Sequence, residues 1–163
     1  MSMIGEYMRL APGDFGKATS DPAWAWDLVD EFLEADGDGG DPRLFDVDKA
    51  WHGLAFVLER AELPDAAIFG DDAVPGAGDW GYGPPSSLTS ARVGELAAAL
   101  SALDPREAVR AVPASAFATA GIYPKELWDD PGWAAYLSGH LERLTKFFCE
   151  AADASMGMLV WLD

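Results

Sequence analysis

Trp133, Tyr136, Leu137, Leu141, Leu144, Phe147, Phe148 and Ala151 recur at the spacing of one helical face, opened by Asp130-Pro131. Close behind comes Met156-Gly157-Met158-Leu159-Val160-Trp161-Leu162, which reads as a buried strand. This pair constrains the fold more than any other feature. A stripe that long must cover a broad apolar surface, and the strand that follows supplies part of one. Met3 to Ala11 reads as a second strand, ended by Pro12. The expectation is an α+β fold, a single compact domain over residues 1–163. Its small sheet includes the N- and C-terminal strands, packed against several amphipathic helices.

Other helices announce themselves at their starts. Ser20-Asp21-Pro22 offers a capping side chain and a first-turn proline, and Trp24, Ala25, Leu28, Val29, Phe32 and Leu33 follow at helical spacing. That helix should end in Asp36-Gly37-Asp38-Gly39-Gly40-Asp41-Pro42, a loop by composition. Thr89 opens a helix with Val93, Leu96, Ala97, Leu100 and Leu103 inward. Asp104-Pro105-Arg106-Glu107 opens a short one that Pro113 stops. Between Gly70 and Ser87 the chain is rich in Gly, Pro and Asp. Trp80 and Tyr82 alternate there with glycines, as in a short strand or extended loop.

Charge excludes whole classes of partner. Asp and Glu number 28 against 11 Lys and Arg, a formal −17. Nucleic-acid affinity comes mainly from Lys and Arg neutralising phosphates, so direct nucleic-acid binding is disfavoured. An anionic membrane surface is disfavoured for the same reason. The single cysteine, Cys149, cannot form an internal disulfide, and neither a signal peptide nor an apolar run of roughly 18 residues is present. The expected compartment is the cytoplasm.

Several motifs fail on inspection. Gly76-Ala77-Gly78-Asp79-Trp80-Gly81 matches the dinucleotide-turn spacing, but Asp71-Asp72-Ala73-Val74-Pro75 before it and Pro84-Pro85 after it do not make the required strand and helix. Gly16-Lys17 lacks both the first glycine and the hydroxyl residue of a phosphate loop, which would stand at Ala11 and Ala18. In the acidic segment Glu34–Asp48, a calcium loop counted from Glu34 puts Phe45 where a bidentate Glu is needed. Counted from Asp36, it puts Asp41 where glycine is needed. Two histidines and one cysteine, far apart, leave no zinc ligand set, and no G-x-S-x-G elbow occurs. No metal and no cofactor are expected. Cys149, beside Phe147 and Phe148, reads as a core thiol.

The most polar interruption of an apolar segment is Asp46, Asp48, Lys49 and His52 within Phe45–Glu59. Trp51, Leu54, Ala55 and Leu58 define a helical face, so Asp46 and Asp48 fall at its start, where carboxylates cap free N–H groups. Asp48 and His52, four residues apart, could also touch, and a carboxylate orienting an imidazole is the arrangement of a general base. Lys49 is either a solvated charge or a partner of Asp46.

The chain resembles the YfbM-like family of bacterial proteins, a domain of unknown function. The resemblance rests on Met3-Ile4-Gly5, Asp46-Val47-Asp48-Lys49-Ala50-Trp51-His52-Gly53-Leu54, Tyr82-Gly83-Pro84, Ile122-Tyr123-Pro124 and Phe147-Phe148-Cys149-Glu150-Ala151-Ala152. It implies a compact α+β domain and no established activity. Similar sequences often carry a second histidine at the position of Ala55, followed by Leu-Leu-Thr-Gly, where this chain continues Phe56-Val57-Leu58-Glu59-Arg60. A site made by two histidines would be at most half present.

Two functional expectations follow. The first is a non-catalytic binding or interaction module whose acidic surface docks a basic protein; one form is an immunity-type protein that blocks a basic toxin enzyme. The alternative is a small-molecule-binding protein or enzyme with a pocket near Asp48, His52, Trp80, Tyr82 and Tyr123. Its basis is the aromatics and titratable pair beside glycine-rich turns.

Overall fold

The computed structural model describes residues 2–35 and 39–163. The Asp36-Gly37-Asp38 part of the expected acidic loop lies outside the described residues. Five strands, β1 (Gly5–Leu10), β2 (Leu44–Asp46), β3 (Asp72–Ala73), β4 (Ser86–Leu88) and β5 (Gly157–Leu162), form one antiparallel sheet in the order β2-β1-β5-β4-β3. The two strands read from the sequence are thus neighbours, with Tyr7 opposite Val160 and Met8 opposite Leu159. Ile4 and Asp163 extend the ladder by exchanging backbone hydrogen bonds of 2.7 and 3.0 Å.

Side chains alternate across a strand, so the register sorts them onto two faces. Tyr7, Met158, Val160 and Leu88 enter the larger core, covered by α3 (Trp51–Arg60), α4 (Ala66–Phe69), α5 (Ser90–Ser101) and the long helix α8 (Trp133–Asp153). Met8, Leu10, Leu159 and Trp161 enter a smaller one, covered by α1 (Pro12–Ser20), α2 (Pro22–Glu34) and the loop carrying Val74 and Trp80. The fold is therefore α+β, a single compact domain with its sheet between two helical layers. Two short helices, α6 (Pro105–Arg110) and α7 (Ala114–Ala120), complete the larger layer.

Three of the expected starts appear as drawn, whereas α8 begins at Trp133 rather than at Asp130-Pro131, the Asp130 carboxylate accepting from the Gly132 N–H at 2.6 Å. Asp21 accepts from the Trp24 N–H, Thr89 from Arg92, and Asp104 from both Arg106 and Glu107. Leu137, Leu141, Leu144, Phe147, Phe148 and Ala151 are buried along α8, while Tyr136 and Trp133 are half-buried. Leu33 departs from its stripe and is 70% exposed. Cys149 is half-buried, 3.1 Å from the Ser101 hydroxyl. None of α1, α4 and α7 is foreseen by the spacing. Among the described residues no helix is long and apolar enough to cross a membrane.

Two contacts fix α3 and α4 in place. The buried Tyr7 phenol donates to the Ala67 carbonyl at 2.8 Å, tying α4 to the sheet. Gly53 lets α3 approach α8: a Cβ there would meet Trp128 at 2.9 Å and Leu137 at 3.0 Å. Any larger residue would push the helices apart.

Candidate functional site

At one end of the sheet three separate stretches of chain meet. Trp51 donates its indole N–H to the Met3 carbonyl at 3.0 Å, and the Met3 N–H donates to the Tyr123 hydroxyl at 3.2 Å. The Tyr123 N–H donates to His52 Nδ1 at 3.0 Å. The Trp51 ring stacks on both His52 and Tyr123, with centroids 4.9 and 6.0 Å away. A Cβ on Gly5 would lie 2.8 Å from Val47 and 3.0 Å from Trp51, so only glycine allows β1 this close to the start of α3. Trp128 holds the third stretch by donating to the Ile122 carbonyl at 2.7 Å. Met3–Gly5, Asp46–Leu54 and Ile122–Pro124, all bearers of the family resemblance, thus build one corner.

Two hollows flank this corner. The first, of ≈ 450 Å³, runs along α3 from His52 through Phe56 to Glu59 and is closed by Leu63, Asp65 and Phe69 on the α4 side. His52 is partly buried, which holds its imidazole below its ordinary pKa. Because Nδ1 accepts from Tyr123, the neutral ring carries its hydrogen on Nε2, its one remaining donor. Protonating Nδ1 would break the bond to Tyr123, so geometry and burial favour the same neutral form. Glu59 and Asp65 are exposed and form no ion pair among the described residues.

The second hollow, of ≈ 360 Å³, includes Asp48, Lys49, Glu126, Asp130 and Tyr136. Asp48 sits in the left-handed region at φ 49°, where non-glycine residues are uncommon. Its N–H donates to the Asp46 carboxylate at 2.9 Å, and its own carboxylate accepts the Tyr136 hydroxyl at 3.0 Å. Burial, then the bond to Asp48, raises the Tyr136 pKa. Beyond Tyr136 the ring edge of His140 follows, with centroids 4.5 Å apart. His140 is buried and accepts from Arg143 at 2.9 Å, and burial, then the Arg143 charge, holds its pKa below the ordinary value.

This arrangement changes the local expectations. Asp48 caps no helical N–H and, among the described residues, does not hydrogen-bond His52; each has found a partner distant in sequence. Asp46, rather than Asp48, uses its carboxylate on a backbone N–H, and Lys49 forms no ion pair among the described residues. At Asp48 the chain turns through the left-handed region, and the carboxylate is engaged by the Tyr136 hydroxyl instead.

The five candidate residues do not share one pocket. His52 lines the first hollow and Asp48 the second, while Tyr123, bonded to His52, lies in sequence between Ile122 of the first hollow and Pro124 of the second. Trp80 is buried on the opposite face of the sheet, edge-on to Trp26 at 5.0 Å and Trp161 at 5.2 Å. Tyr82 is 45% exposed, its N–H donating to the Leu162 carbonyl. Between them, the Asp79 carboxylate accepts from Gly81 and Gly83 at 2.9 Å and curls the glycine-rich segment into a turn. Reading by spacing missed Phe69, Glu59 and Tyr136 as lining residues. A signal existed for Glu59, one helical face with His52 at i+7, and none for the others.

Comparison with known proteins agrees with this architecture. The family described as "Domain of unknown function (DUF1877)" matches residues 1–161. The crystal structure of YfbM from Escherichia coli, described as a protein of unknown function, is similar over 98% of this chain and 99% of its own. The TM-score is 0.69 at 17% identity, a likeness of fold. No curated protein matches.

Proposed function

Because the chain belongs to the DUF1877 family, whose description names no activity, we propose from geometry and charge that it is a non-catalytic interaction module. Its α3–α4 groove takes a basic, amphipathic segment of a partner protein. The observation that carries this reading is the groove's composition: an apolar floor from Phe56, Leu63 and Phe69, bordered by the carboxylates of Glu59 and Asp65, which form no ion pair among the described residues. Phe69, 38% exposed, offers the kind of aromatic anchor that dominates interface energetics. A chain at −17 would also steer a basic partner toward itself from a distance. An immunity-type role in the cytoplasm is one setting in which such a module would work.

A photo-crosslinking side chain placed at Phe69 tests the reading in the native host. The expected product is a basic protein whose yield falls with added salt and is lost in a Glu59→Gln/Asp65→Asn variant. Crosslinks insensitive to both changes would sink the proposal.

The rival, a small-molecule or enzymatic site, draws its support from Asp48, held at φ 49° with its carboxylate on Tyr136. Asp48→Asn separates the two readings. It leaves capture through Phe69 intact under the first and abolishes ligand binding under the second.

A further inference from the structure

Basic side chains are scarce here, and nearly all the arginines are engaged. Arg9 pairs with Glu150, Arg43 with Asp41, and Arg92 with both Asp71 and Glu95. Arg60 lies over the Phe56 ring, and Arg143 bonds His140. Arg106 and Arg110 are the exceptions. Among the described residues neither guanidinium forms an ion pair, a hydrogen bond or a ring stack. They stand one turn apart on α6, both exposed, and border the same hollow of ≈ 450 Å³ between α6 and α8. In a chain with 28 acidic residues, two adjacent arginines that border one hollow and form no ion pair among the described residues, although Glu142 lines the same hollow, are poorly explained by packing alone.

We infer that this hollow binds a small phosphate monoester. Two guanidiniums present planar arrays of donors that match phosphate oxygens, and they are always charged. The α8 wall offers Ala134, Ala135 and Gly139, none larger than alanine, so a flat organic group can lie close to the helix. Ser138 completes that wall with a hydroxyl whose own bond, to the Ala135 carbonyl, is long at 3.3 Å. Glu142 also lines the hollow, and its carboxylate would accept from a ligand hydroxyl. The overall negative charge opposes anions at a distance. Salt screens that field beyond about 8 Å, leaving the two guanidiniums to dominate locally. The site shares no residue with the α3–α4 groove, so it stands or falls by itself.

Titration of the isotope-labelled protein with phenyl phosphate and with inorganic phosphate, followed by NMR at constant ionic strength, tests it. The expected result is saturable shifts confined to the Arg106 and Arg110 side-chain N–H groups and the Ser138 and Gly139 amides. Phenyl phosphate should bind about tenfold tighter than inorganic phosphate, because its ring covers the alanines. An Arg106→Gln/Arg110→Gln variant should lose both anions. Ala135→Leu should reject phenyl phosphate while keeping inorganic phosphate and an unchanged spectrum elsewhere. Absent saturation, equal affinity for the two anions, or shifts that persist in the double variant would each overturn the assignment.

Discussion

On one face of the sheet Trp51 sits between His52 and Tyr123; on the other Trp80 sits between Trp26 and Trp161. Both are buried tryptophans beside polar turns, yet they do different work. Around Trp51 the rings alternate with backbone donors and acceptors, so polar atoms of three chain segments are satisfied within one wall. Around Trp80 the rings meet edge to face, and the polar bonding belongs to Asp79 and the glycine N–H groups. An aromatic residue next to a glycine-rich turn is therefore not by itself the mark of a pocket. What separates the two regions is whether the rings leave titratable groups at a surface hollow.

The comparison breaks if the Trp80 region proves to carry function. Trp80→Ala should lower unfolding stability by about 3 to 5 kcal/mol, because a large buried ring is lost from a packed ladder. Partner capture through Phe69 should be unchanged when measured well below the melting temperature. Loss of capture in a folded Trp80 variant would erase the distinction.

A smaller effect is expected at Asp48. Asp48→Ala should cost about 1 to 3 kcal/mol, since it strands the Tyr136 hydroxyl and places alanine in a left-handed turn. Asp48→Asn, which tolerates that turn and keeps an acceptor, should cost less than half as much in chemical denaturation.

Glu6 sharpens the comparison from the sheet itself. It lies opposite Asp46 on β2, and burial, then the Asp46 and Asp163 charges, push its carboxyl up to about 7 from the ordinary 4.5. The folded state thus holds a proton that the unfolded chain has released. This contribution is fully present below the unfolded pKa and is lost as pH climbs from 4.5 through about 7. Because the group is partly exposed, solvent screening leaves on the order of 1 kcal/mol. Glu6→Gln should raise stability by that amount at pH 8 and change little at pH 4.

The smallest expectation is spectroscopic. The His52 ring should show an unprotonated Nδ1 in nitrogen-detected NMR at neutral pH and titrate below an exposed histidine. A protonated Nδ1 would contradict the bond from Tyr123 on which the corner is built.

Much of the fold was legible because its signals are local. Caps at Asp21, Thr89 and Asp104 and the stripe from Leu137 to Ala151 act within a turn or two of themselves. Three helices escaped for local reasons as well, α4 being a single turn of four residues. In α1, Gly13 and Gly16 dilute the period, and α7 buries only Phe117 among small residues. The site was less legible because its bonds are long in sequence. Asp48 meets Tyr136 across 88 residues of sequence and His52 meets Tyr123 across 71, and no spacing rule contains that information. His140 is the exception: it lies three residues after Leu137 and four before Leu144, so its burial could have been read from the stripe.

The place of β5 has a consequence for synthesis. It is hydrogen-bonded to both β1 and β4, yet it is the last strand of the sheet to leave the ribosome. Until it emerges, the β1–β2 pair and the β3–β4 pair have nothing between them, and the apolar stripe of α8 has only half a surface to cover. The sheet therefore closes only when β5 is inserted between two preformed edges, and the surfaces awaiting it are exposed to neighbouring chains until then.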